Sequence, residues 1–160
     1  MPGPVHIRVV QRFDRPLADA YAWLTDFTED DAKHAGAVIQ TRKVRERGPK
    51  RVVYEGETEV LGRRIWGVSE VDLAPPDRWE ARVVEGPRKG SRTTYHLVPR
   101  GAGCEITVDY RFVLDDPRRF LLLRVAKPLV ARELRKMWRG FAAAMSRELP
   151  AVGRAEGAAP

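Results

Sequence analysis

The sequence predicts an α+β fold. A seven-stranded, curved antiparallel sheet wraps around one long C-terminal helix, with a short helical segment after the first strand. Three observations predict it. Segments rich in β-branched and aromatic residues, separated by Gly and Pro turns, recur at short intervals from Val38 to Leu114, the pattern of an antiparallel meander. A stretch of helical spacing runs from Pro16 to Phe27. A much longer amphipathic stretch runs from Pro117 to Glu148 and is large enough to cover the apolar face of such a sheet.

The elements follow in order. From Val5 to Phe13, Val5, Ile7, Val9 and Phe13 alternate with His6, Arg8 and Arg12, as in a half-buried strand. Asp14 is placed to cap the next helix and Pro16 suits its first turn, after which Leu17, Ala20, Tyr21, Leu24 and Phe27 share a face. Residues 28–36 are polar and read as a loop with one further helical turn. Six strands are then expected at Val38–Glu46, Arg51–Val60, Arg63–Leu73, Arg78–Glu85, Lys89–Val98 and Cys104–Leu114. Asp115-Asp116-Pro117 is an N-cap signal for the closing helix. Pro128 cannot sit inside a regular helix, so a shorter helix near 117–126 and a longer one over 128–148 are expected. In the longer one Val130, Leu134, Met137, Trp138, Phe141, Met145 and Leu149 form a single apolar stripe. The tail over 150–160 has almost no bulky residues and reads as disordered, leaving one domain over 1–149.

Composition narrows the function classes. With 43% hydrophobic and 32% charged residues the chain reads as an ordinary globule. Its one cysteine, Cys104, allows neither an internal disulfide nor a thiolate metal site, and a cytoplasmic location is the expectation. The first residues show no basic stretch followed by an apolar one, so no signal peptide is expected. No apolar run approaches the roughly 20 residues that span a bilayer. His6, His34 and His96 are scattered, so neither metal nor cofactor is expected, and no nucleophile elbow, phosphate loop or dinucleotide fingerprint is present. His96 shares its alternation phase with Arg92 and Thr94 on the outer face, which argues against a catalytic role. The chain is therefore read as a non-enzyme before an enzyme, and no catalytic residue is assigned.

The whole net charge of +7 sits in residues 117–148, where nine basic residues meet only Glu133 and Glu148. Three readings stay open for that basic face: a solvated helix surface, a membrane-surface contact, or RNA or ribosome binding. Phe120 to Leu123 beside Arg118, Arg119 and Arg124 favours the membrane among partners. Nucleic acid is argued against because Trp138 and Phe141 belong to the apolar stripe and leave no exposed aromatics among the basic residues.

Two stretches carry a family resemblance. Pro16 to Phe27, in which Tyr21-Ala22-Trp23 precedes Leu24-Thr25-Asp26, is similar to the opening helix of the START-like (SRPBCC) superfamily. The closing helix ending in Glu148-Leu149-Pro150 is similar to that family's last helix. The element order over residues 5–149 resembles its helix-grip fold. The superfamily includes polyketide cyclases/dehydrases and lipid-transport proteins, plant pathogenesis-related class 10 proteins and coenzyme Q-binding proteins. The resemblance implies a cavity between sheet and helix. It does not choose among carriers, receptors and enzymes.

Period-two alternation selects the residues facing such a cavity. Tyr54, Thr58, Ser69, Trp79, Thr93, Tyr95 and Tyr110 are expected from the sheet, and Leu134, Met137, Trp138 and Phe141 from the helix. An apolar wall with a few hydroxyls suits a small hydrophobic ligand or lipid with one or two polar groups. The portal is expected at Phe120–Leu123, residues 28–36 and Gly86–Gly90. Gly56 and Gly67 on the inward face favour curvature or a bulge. The alternatives are an aromatase/cyclase-type enzyme acting on a polyketide-like substrate, which needs an inward acid/base pair where only tyrosines are found, and a basic interaction module built on the last helix. The sequence does not specify the oligomeric state.

Overall fold

A computed structural model describes residues 3–36 and 38–151. Its elements are β1 (Val5–Phe13), α1 (Leu17–Leu24), α2 (Asp31–His34), β2 (Ile39–Arg47), β3 (Arg51–Val60), β4 (Arg63–Ala74), β5 (Arg78–Glu85), β6 (Arg92–Arg100), β7 (Gly103–Phe112), α3 (Pro117–Val125) and α4 (Lys127–Glu148). One seven-stranded antiparallel sheet has the order β1-β7-β6-β5-β4-β3-β2. It is a meander from β2 to β7, with β1 paired to β7 along its full length. This is the α+β helix-grip architecture expected from the sequence. Among the described residues no helix is long and apolar enough to cross a membrane. The expected tail over 150–160 lies, from residue 152 onward, outside the described residues.

Sheet curvature has local causes. Two irregularities interrupt the pairing of β2 with β3, and a third lies between β4 and β5 next to Val68. Bulges of this kind bend a strand and increase its twist. Gly56 sits where the bent β2 passes closest to β3. A Cβ there would lie 2.1 Å from the Thr41 carbonyl oxygen, so only glycine fits. Gly56 pairs directly with Gly67 on β4, so the expectation of curvature at these glycines is met by a bulge at close approach.

The core lies on the concave face. Ile7 and Val9 of β1, Val52 of β3, Val71 of β4, Leu97 of β6 and Ile106 and Val108 of β7 are buried against Leu134, Met137, Trp138, Phe141 and Met145 of α4. The expected apolar stripe of α4 is the buried one. Among the described residues this helix and β1 make the principal packing of helix on sheet, and α2 bridges α4 to β2 on the other side.

The two stretches that carry the family resemblance meet at the C-terminus of α4. Trp23 Nε1 donates to Glu148 Oε2 at 2.7 Å, and His34 Nε2 lies 3.1 Å from Glu148 Oε1. Buried Arg15 donates through Nη2 to the Ser146 carbonyl at 2.7 Å and to the Leu149 carbonyl at 3.1 Å. These carbonyls have no partner within the helix, and an arginine at a helix C-terminus also opposes its dipole.

Three local expectations differ from the structure. Helix α1 ends at Leu24, three residues early, with the Thr25 N–H and hydroxyl both on the Tyr21 carbonyl in its last turn. Phe27 then takes a left-handed conformation (φ 47°) that turns the chain and lets its ring stack on Tyr54. Asp14 does not cap α1. Its carboxylate accepts from Ser146 Oγ at 2.6 Å and faces Arg15 at 2.9 Å, while Pro16 occupies the cap position with no side-chain bond. Strand β6 begins at Arg92 and not Lys89, because 86–91 folds into a loop closed by Lys89 N–H to Gly86 and Ser91 N–H to Arg88. The closing helix is divided as expected: the break comes at Ala126, and Pro128 falls in the first turn of α4, where its missing N–H costs nothing. Asp116 caps α3 by accepting from the Arg118 N–H at 2.9 Å, as its position predicts.

Asp26, between α1 and α2, is a half-buried carboxylate. Burial, and then the negative charge of Asp31, raise its pKa to about 6. Its Oδ1 is buried without a hydrogen-bond partner. A folded-state pKa above the unfolded value means that the native state holds the proton more tightly. Asp26 therefore costs stability increasingly as pH rises from about 4 through 6. Asp26→Asn is expected to stabilise the protein at pH 7.5 by about 1 kcal/mol, after discounting for solvent screening. The gain should vanish near pH 4. Chemical denaturation across pH 4–8 checks this, and a gain that does not change with pH contradicts it.

Candidate functional site

The concave face is solidly packed at one end and hollow at the other. In an antiparallel meander alternate turns share an end. The β3–β4 turn (Leu61-Gly62), the loop of residues 86–91 and the β7–α3 connection (113–116) therefore lie together. A cavity of about 400 Å³ opens there. Its walls are Val38 and Ile39 of the β2 end, Tyr54, Thr58 and Val60 of β3, Ser69 of β4, Ala81 and Val83 of β5, and Thr93 and Tyr95 of β6. Tyr110 and Phe112 of β7, Leu114, Leu123 of α3, and Leu129, Val130, Glu133, Leu134 and Met137 of α4 close it. A second depression, between β1, the β6–β7 turn and α4, is wide open to solvent and encloses nothing.

Eight of the expected site residues border the cavity: Tyr54, Thr58, Ser69, Thr93, Tyr95, Tyr110, Leu134 and Met137. Trp79, Trp138 and Phe141 do not border it. Trp79 lies behind Tyr95, with the rings stacked at 4.8 Å and 8°. Trp138 lies between Tyr95, Phe13 and Phe141, with ring centroids 6.1, 6.4 and 5.4 Å away. Phe141 also meets Trp23 edge-on at 6.2 Å. These aromatics fill the closed end and support the wall from behind. Of the expected portal, Arg88 of the 86–90 loop and Leu123 border the cavity, whereas residues 28–36 and Phe120 do not. Instead the mouth is framed by Leu61-Gly62 and the first turns of α4.

Trp138 Nε1 donates to the Tyr110 hydroxyl at 2.8 Å, a buried bond between α4 and β7. Burial pushes the Tyr110 phenol well above its ordinary pKa, and Tyr95 is raised in the same way. Both stay neutral at physiological pH and offer hydrogen bonds, not charge. Cys104 is fully buried and its thiol is pushed up to about 11, so it behaves as a core residue. His96 is on the outer face, 40% exposed, with Nε2 3.5 Å from Asp77.

Two arginines on the wall escape sequence reasoning. Arg42 stands on β2, an edge strand whose bulges break the alternation that would have assigned its face. Its guanidinium pairs with buried Asp31 and lies over the Tyr54 ring, 4.6 Å from the centroid, and over the Phe27 ring at 5.5 Å. Arg88 stands on a loop, where no periodicity applies. Desolvation lowers its pKa, opposed by the nearby phenols of Tyr54, Tyr95 and Tyr110. It is half-buried and lines the cavity. Two carboxylates, Glu59 and Glu133, also border the cavity, at the mouth. Among the described residues no cluster of His, Cys, Asp and Glu could hold a metal ion.

A family model described as polyketide cyclase / dehydrase and lipid transport matches residues 4–146. No curated protein sequence matches the chain. Several solved structures share the fold. A Thermus thermophilus protein, TTHA0849, superposes with a TM-score of 0.81 at 17% identity, over 91% of this chain and 100% of its own. The Zhui aromatase/cyclase from Streptomyces sp. R1128 gives 0.73 at 17% identity, over 93% and 98%. A START superfamily protein from Mycobacterium smegmatis gives 0.72 at 12% identity, over 90% and 99%.

Tyr110→Phe is expected to leave the Trp138 N–H buried without an acceptor and to cost about 1–3 kcal/mol. Urea unfolding measures the loss, and an unchanged midpoint would show that the bond contributes nothing net.

Proposed function

We propose that this chain, which belongs to the polyketide cyclase/dehydrase and lipid-transport family, binds one small hydrophobic molecule in the cavity between the sheet and the start of α4. The observation that carries the reading is the partly enclosed space of about 400 Å³, which falls in the range of small-molecule sites. A core normally closes such space by packing, and an empty one of this size is costly. Tyr54, Thr58, Ser69, Thr93, Tyr95 and Tyr110 would offer polar groups to the ligand, and Leu134 and Met137 would cover its apolar body. The reading is of a binding protein. An aromatase/cyclase reading lacks an inward histidine among the described residues, and the only carboxylates on the wall stand at its mouth.

Native mass spectrometry of the purified protein, followed by organic extraction, tests the reading. A defined apolar molecule near one equivalent is the expected result. An apo mass that persists after exposure to a lipid extract would overturn it. Ala81→Phe is expected to fill the cavity and abolish uptake while staying within about 1 kcal/mol of the parent in stability, since the added ring enters open space and not packed core.

A second reading adds a membrane contact for loading and release. Leu121, Leu122, Val125 and Leu129 are 62%, 55%, 73% and 54% exposed on α3 and the start of α4. Leu129 also lines the cavity, so the apolar patch continues into the mouth. Arg118, Arg119, Arg124, Lys127 and Arg132 flank it. Apolar side chains ringed by basic ones suit an anionic lipid surface. Sedimentation with phosphatidylglycerol vesicles, but not phosphatidylcholine vesicles, is expected, and Leu121→Glu with Leu122→Glu should weaken it at least about tenfold. Equal sedimentation of parent and double variant would remove this reading and leave the cavity reading intact.

A further inference from the structure

Resting on the ligand-binding reading above, we infer that the ligand is an acid: a hydrophobic molecule bearing one carboxylate, held by the Arg88 guanidinium inside the cavity. Two arginines border the cavity, and they differ in one respect. Arg42 has its counter-ion, Asp31, and two aromatic faces. Among the described residues Arg88 has no carboxylate or carbonyl within hydrogen-bond reach of its side chain. Tyr54, Tyr95 and Tyr110 lie near it, and burial keeps the phenols of Tyr95 and Tyr110 protonated, so they cannot balance a positive charge. Glu59 and Glu133, on the same cavity wall, are not within ion-pairing distance of it, and Gln40 Nε2 already donates to Glu59 at 3.1 Å.

An unpaired guanidinium in a mostly apolar enclosure is an expensive arrangement, because arginine does not escape by losing its proton. The burial that lowers its pKa acts in the same sense. A ligand carboxylate would remove the cost by supplying the missing counter-charge in a bidentate geometry that fits the guanidinium fork. Phenol hydroxyls around the pair would donate further hydrogen bonds to the same oxygens.

The loop that carries Arg88 is built to hold position. Within it the Ser91 N–H donates to the Arg88 carbonyl at 2.9 Å and the Lys89 N–H to Gly86 at 3.0 Å. Buried Ser91 ties the loop to the end of β7, its hydroxyl donating to the Val113 carbonyl at 3.0 Å and accepting from the Val113 N–H at 2.9 Å. The Asp115 N–H donates to the Pro87 carbonyl at 3.0 Å. The head group would therefore be fixed, while the apolar wall recognises the body by size alone.

The test uses two matched pairs that differ only in the acidic group: laurate with 1-dodecanol, and 2-naphthoate with 2-naphthol. Affinities are measured by calorimetry at pH 7.5 for the parent, Arg88→Met and Arg88→Lys. In a pair that binds, the parent is expected to prefer the acid at least about tenfold. Arg88→Met should lose that preference while holding the alcohol as the parent does, and Arg88→Lys should keep part of it. The melting temperature of apo Arg88→Met should rise, because an unpaired charge has been removed. A fall would mark a purely structural role and count against the proposal. Acid and alcohol bound equally by the parent, or an acid preference that survives in Arg88→Met, overturns the anchor and leaves the cavity reading standing. No uptake of either pair, together with an apo protein in the mass spectrum, removes both.

Discussion

The fold depends on covering the concave face of a curved sheet with a single helix. Seven strands present more apolar surface than one helix can match, so the fit is complete at one end only. The hydrogen bond from Trp138 to Tyr110 marks the boundary. On its far side Phe13, Phe141, Trp23 and Trp79 fill the space between helix and strands with edge-on and stacked rings. On its near side the space between α4 and strands β3 and β4 remains open. Moving Trp138 would change both halves, since the same ring that closes the core is the support for the cavity wall.

The C-terminal latch keeps this arrangement in register. Arg15 holds the last carbonyls of α4, and Trp23 and His34 hold Glu148. These contacts join segments more than 100 positions apart in the chain. They also give a physical meaning to the two family-like stretches, which are the two sides of one contact. A helix tied at its C-terminus and broken at Ala126 near its start has its freer end at the cavity mouth. There α3 and α4 leave four large apolar side chains exposed.

Charge is distributed by the same geometry. The excess of basic residues falls on helices whose buried stripe is apolar, so most of those side chains are turned outward. The two arginines that border the cavity come from the sheet edge and from a loop. Arg42 is neutralised by the short helix α2, which supplies Asp31. Among the described residues Arg88 has no carboxylate within hydrogen-bond reach. The cavity wall therefore carries one paired and one unpaired arginine, with Glu59 and Glu133 also on it, among apolar and hydroxyl-bearing side chains.

Much of this was legible in the residues. Alternation in β7, from Cys104 to Phe112, and the 3.6-residue stripe of α4, from Leu134 to Met145, report burial directly, because side chains repeat with the period of the backbone. Eight cavity-wall positions followed from that rule alone. Trp79, Trp138 and Phe141 obey the same rule, yet they serve as packing behind the wall, since a period identifies the face of an element but not the depth along it. Arg42 and Arg88 stayed hidden for the opposite reason: a bulged edge strand and a loop have no period to read. The sequence by itself determined the order of elements, the inward faces, the covering helix and the location of its positive charge, all of which are set by neighbours a few residues apart. Tertiary structure alone decided where the interior is filled and where it is hollow, and which arginine finds a carboxylate, because those depend on how segments distant in the chain share one volume.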